Sequence, residues 1–107
     1  MQATERLEAI KLMLKDDPQD PFLQYALALE YLSLNQHENA IEILLYLKEN
    51  KPDYLPLYMK LGQIYILKEK EQDALSIWKE GVLLAEKQKN DKTLRELKQL
   101  IEEYEED

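Results

Sequence analysis

The chain has 107 residues, 45% of them hydrophobic and 34% charged, which predicts one globular domain over residues 1–107. Its formal net charge of −8 works against nucleic-acid and anionic-membrane partners, since phosphate binding needs clustered Lys and Arg. With no cysteine, disulfides, thiolate metal sites and cysteine nucleophiles are excluded.

The opening MQATERLEAI has no basic segment followed by an apolar core, so no secretory signal is expected. No apolar run approaches the roughly 18 residues a membrane span needs. A soluble, cytoplasmic protein is the expectation. Leu, Glu, Lys, Gln and Ala dominate, all good helix formers. Two glycines and four prolines predict few, short connections.

The first predicted helix covers residues 4–16, with Leu7, Ile10, Met13 and Leu14 on one face. Asp16, Asp17 and Asp20 follow. They lack the alternating ligands, central glycine and closing glutamate of a calcium loop, so helix ending and capping account for them. The second helix runs from Pro21 to Leu34, with Asp20 as its cap and Pro21 in its first turn. Phe22, Tyr25, Leu29 and Leu32 lie along one side, and Leu27, Tyr31 and Leu34 along another. The polar cluster NQHEN, residues 35–39, contains the turn, and the only histidine, His37, reads as a solvated turn residue. Ala40, Ile41, Leu44, Leu45 and Leu47 then carry helical spacing to Asn50.

Pro56 opens the next helix, which runs to about Lys68, and EKEQ holds the following turn. Ala74, Leu75, Trp78, Val82 and Ala85 continue a helix toward Asn90. Thr93-Leu94-Arg95-Glu96 has the form of a capping box. Behind it, Leu94, Leu97, Ile101 and Tyr104 form one apolar stripe, as suits a terminal cap facing water on its outer side. The acidic run EEYEED, residues 102–107, reads as a solvated, frayed helix end.

Several residues recur 34 positions apart: Pro18 and Pro52, Leu27 and Leu61, Ala28 and Gly62, Tyr31 and Tyr65, Ala40 and Ala74. A fixed period in this range marks a stacked repeat. The second unit, with Tyr58, Leu61, Gly62, Tyr65, Ala74, Trp78 and Gly81, resembles the tetratricopeptide repeat family. The first unit resembles it through Leu27, Ala28, Tyr31, Ala40 and Pro52, departing at Leu44, where an aromatic is usual, and at Leu47, where a small residue is usual. The resemblance implies an all-α, short solenoid of about six antiparallel helices. Two full repeats are flanked by an N-terminal half-repeat helix and a C-terminal capping helix.

The available chemistry is thin. Gly62 and Gly81 both fall inside helices, so there is no glycine-rich phosphate loop. Neither a catalytic constellation nor a cofactor or metal site is expected. The resemblance implies instead a concave groove lined by the first helix of each repeat, open to a protein partner. Carried over residue by residue, that face comprises Phe22, Tyr25, Ala26, Leu29 and Ser33 from the first unit. Pro56, Met59, Lys60, Gln63 and Leu67 come from the second. The Lys, Asn and Arg clamp that some family members close on a C-terminal carboxylate is largely missing, which disfavours chaperone tails. The mostly apolar face is expected to take an apolar peptide or amphipathic helix. The alternative is a structural protein whose groove is its own homodimer interface. Otherwise the terminal helices fold over the face or it is ordinary surface, and Phe22 held as a staple at its helix start would leave the groove.

Overall fold

A computed structural model describes residues 2–105, and among them every regular element is α-helix. The chain divides between Tyr54 and Leu55 into two compact units. The first contains α1 (Ala3–Asp16), α2 (Pro21–Ser33) and α3 (His37–Asn50). The second contains α4 (Pro56–Leu67), α5 (Glu71–Gln88) and α6 (Asp91–Tyr104). Six helices in an all-α fold are what the 34-residue period and the proline breaks predict.

In the first unit, α2 packs against both α1 and α3. Asp20 starts α2 as expected, its Oδ1 accepting the N–H groups of Phe22 (2.9 Å) and Leu23 (3.3 Å). The interior gathers Leu7, Ala28, Ala40, Ile41, Leu44 and Leu47. Met13 and Leu45, placed on apolar faces from their spacing, are instead 49% and 43% exposed. Each sits one position, about 100° of rotation, from a better-placed neighbour, Leu14 and Leu44. Gln24 is the one buried polar residue among those described. Its Nε2 donates to the Pro18 carbonyl at 2.7 Å.

In the second unit, α5 packs against α4 and α6. Trp78 is fully buried, and its indole N–H donates to the Met59 carbonyl at 3.2 Å. Gly62 exists for this ring: a Cβ there would lie 2.1 Å from Trp78 Nε1. The same offset in the first unit holds Ala28 and Leu44, also buried. A smaller residue on one helix and a larger one on the other keep the pair at core density. Gly81 plays a similar part, since a Cβ there would come within 2.9 Å of Tyr58 Cβ and 3.0 Å of Leu97 Cδ1.

The turns repeat in detail. Asn35, Glu69 and Lys89 have φ of 60°, 58° and 59°. After each, the next N–H closes a six-residue loop: Gln36 to the Tyr31 carbonyl (2.9 Å), Lys70 to Tyr65 (2.8 Å) and Asn90 to Ala85 (2.9 Å). These are Schellman endings built without glycine. Two of them are closed on the carbonyls of the recurring tyrosines. His37 is therefore the first residue of α3 and lies outside the turn.

Two expectations at the C-terminus change. α6 begins at Asp91 and its cap is Asn90, whose Oδ1 accepts the Thr93 N–H at 3.0 Å. Thr93 cannot also be the cap, because the left-handed Lys89 has already turned the chain. Through Glu105 the acidic tail is anchored: the Tyr104 ring lies 5.7 Å from that of Trp78, and Glu105 pairs with Lys79 at 2.6 Å. Residues 106 and 107 of that tail lie outside the described residues.

Candidate functional site

On α2, Phe22, Tyr25, Ala26, Leu29 and Ser33 follow the spacing i, i+3, i+4, i+7 and i+11, so they form one longitudinal stripe. The opposite side of the helix, with Gln24 and Ala28, is buried. Phe22 is 66% exposed, which removes it from a staple. A staple residue precedes the cap, whereas Phe22 follows Asp20 by two positions. Tyr25 and Leu29 are half-buried and Ser33 is exposed. The Ser33 hydroxyl donates to the Glu30 carbonyl at 2.7 Å, so it is already engaged within its own helix.

On α4, Pro56, Met59, Lys60, Gln63 and Leu67 repeat the same spacing, while Leu57, Tyr58, Leu61, Gly62 and Ile64 are buried. Met59, Lys60 and Gln63 are half-buried. Leu67 is 62% exposed. The main chain of Met59 serves the core by accepting from Trp78, but its side chain belongs to the stripe.

Five residues outside the sequence-predicted stripes stand beside them. In the second unit, Ile66, Leu100 and Tyr104 join Gln63, Leu67 and the Trp78 ring around a cleft of about 280 Å³. The terminal helix thus lines a depression with the α4 stripe and leaves Leu67 open. Leu100 had a usable signal, three residues after Leu97 and four before Tyr104. In the first unit, Tyr54 stands against Tyr25 with ring centroids 5.7 Å apart and planes tilted by 60°. Burial raises the hydroxyl pKa of Tyr25, helped by Tyr54. Burial first, then the charge of Asp20, raises that of Tyr54. Tyr54 lies in a connection without periodicity, so spacing could not find it.

Among the described residues no group of three or more His, Cys, Asp or Glu could hold a metal ion. No helix among them is long and apolar enough to cross a membrane. What the two stripes offer is apolar and aromatic surface with a single cation, Lys60.

No protein-family model matches the chain, and neither does any curated protein. Solved structures are similar. A solution structure of a tetratricopeptide repeat domain protein from Salinibacter ruber is 34% identical, with a TM-score of 0.80 over 83% of this chain and 90% of that one. A crystal structure of such a protein from the same organism is 32% identical, with a TM-score of 0.75 over 79% and 94%. The TPR2B domain of yeast Sti1, in its pHsp70 complex, has a TM-score of 0.87 over 95% and 82% at 20% identity, a likeness of fold. Shared residues, shared fold and nearly complete mutual coverage agree with the 34-residue signature, and the chain belongs to the tetratricopeptide repeat family.

Proposed function

We propose that residues 1–107 act as one non-catalytic, cytoplasmic interaction domain that binds an apolar peptide or amphipathic helix along the α2 and α4 stripes. One observation carries this reading. Both helices bury one side and leave a largely apolar stripe half or wholly open at identical offsets, from Phe22 to Ser33 and from Pro56 to Leu67. The parts of those side chains left open add nothing to the core, and water does not favour the apolar ones. The pHsp70 complex of the Sti1 domain supports a protein ligand for this fold.

Affinity capture with the wild-type chain and with Leu29→Glu and Met59→Glu tests the reading. Both variants are expected to fold and to lose the captured partner, since a carboxylate buried unpaired at an interface costs several kcal/mol. If a melt shows either variant unfolded, that residue is core. If both fold and capture is unchanged, the stripes are not the binding surface. Light scattering across a concentration range separates a foreign partner from a second copy.

A further inference from the structure

One end of the first unit gathers three helix ends. α1 closes at Asp16, α2 opens at Pro21 and α3 closes at Asn50. Gln19 Nε2 donates to the Tyr46 hydroxyl at 3.2 Å, tying the α1–α2 connection to the last turns of α3. Two helix C-termini against one N-terminus leave this end on the negative side of the backbone dipoles. The side chains at these helix ends and connections agree, with Asp16, Asp17, Asp20, Glu49 and Asp53 outnumbering Lys15, Lys48 and Lys51.

At this end the Tyr25 and Tyr54 rings meet, and Phe22 stands one turn before Tyr25. Neither phenol hydroxyl has a hydrogen-bond partner among the described residues. Asp20 commits Oδ1 to the start of α2 and leaves Oδ2 without a bond among those residues. Its charge reaches the Tyr54 hydroxyl.

We infer that this corner receives a lysine or arginine side chain from the protein that lies along the α2 stripe, its stem on Tyr25 and Tyr54 and its charge at Asp20. The inference rests on the proposed binding face and adds the chemistry of the partner. Aromatic faces attract a cation within about 6 Å of the ring centroid. Long cationic side chains also lay their methylene stems on apolar surface while the head stays polar. An anionic side chain would meet Asp20 and the two helix C-termini. A neutral apolar one would strip water from Oδ2 and give nothing back. Charge complementarity therefore selects a cation. This reverses the carboxylate clamp that the stripe lacks.

Two probes test it: a 15-residue amphipathic helical peptide of leucine and lysine, and its counterpart with glutamine for every lysine. Calorimetric titration of the wild-type chain is expected to favour the lysine peptide at least tenfold. Asp20→Asn keeps a capping side chain but removes the charge. That variant and Tyr54→Leu are each expected to reduce the preference to about threefold or less, the larger loss falling on the lysine peptide. Asp73→Asn, which removes the same charge from the start of α5, is expected to leave the preference intact. Equal losses from Asp20→Asn and Asp73→Asn would mean diffuse attraction and overturn the site. Equal binding of both peptides to the wild type overturns the site alone and leaves the binding face standing. Failure of both peptides to bind overturns the binding face, and the site with it.

Discussion

The Gly62–Trp78 pair ties one missing methyl group to the core of a whole unit. Gly62→Ala would gain helix propensity of about 1 kcal/mol. It would also place a Cβ 2.1 Å from the indole nitrogen. A buried tryptophan ring cannot move that far without disturbing its neighbours, so the clash wins, with a net loss of about 1–3 kcal/mol in urea unfolding. The first unit already shows the other solution, Ala28 with Leu44. Gly62→Ala combined with Trp78→Leu should therefore be more stable than the sum of the single losses by at least about 1 kcal/mol. Additive losses would mean that the two positions do not share one space. The left-handed Glu69 offers the opposite sign. Glu69→Gly relieves a backbone conformation that disfavours a Cβ and should stabilise by about 0.5–1 kcal/mol. Tyr25 and Tyr54 give stability a dependence on pH. Both hold their phenolic protons more tightly in the folded chain than in the unfolded one. Their contribution is thus complete below the unfolded value of about 10 and is lost as pH rises through the higher folded values. Stability should fall above pH ~10, and Tyr25→Phe should flatten that fall; an identical slope in the variant would remove Tyr25 as a cause.

At the scale of elements, α6 does more than close an open end. Its Leu97 is fully buried, Tyr104 reaches Trp78, and Leu100 helps to line the cleft beside Leu67. Deleting residues 91–107 should expose Trp78 and Gly81 and lower the melting temperature by at least about 10 °C, with aggregation on heating. Leu97→Ala is the gentler version and should cost about 2–5 kcal/mol. An unchanged melt in both would show that α6 does not cover the core. The sequence revealed these helices because prolines and a strict period mark their limits. It revealed boundaries less well where the signal was a three-dimensional turn. Glu69 and Lys89 end helices in a conformation that favours glycine, and neither residue type advertises it. Thr93 looked like a cap because its motif is local. The left-handed turn at Lys89 moved the true cap to Asn90.

For the molecule as a whole, the family and the two stripes were legible because helical spacing fixes which side chains share a side. Tyr54 and Asp20 were not legible as neighbours of the α2 stripe, since a connection and a cap join a stripe only through folding. The sparse charge of the stripes makes a further prediction. Lys60→Glu should leave stability within about 0.5 kcal/mol. Its effect should fall on the association rate of a captured partner and on the salt dependence of that rate. A partner whose on-rate and salt slope are both unmoved does not approach past Lys60.

Trp78 is the only tryptophan in the chain, it is shut away from water, and the tyrosine facing it comes from the terminal helix. The molecule therefore contains its own optical gauge. Excitation of tyrosine should pass to the indole while α6 is docked, and the indole should emit at short wavelength. Any event that lifts that helix, whether heat, denaturant or a ligand entering the cleft beside Leu67, should weaken the transfer and redden the emission. The difference from Tyr104→Phe isolates the share of the transfer that α6 supplies.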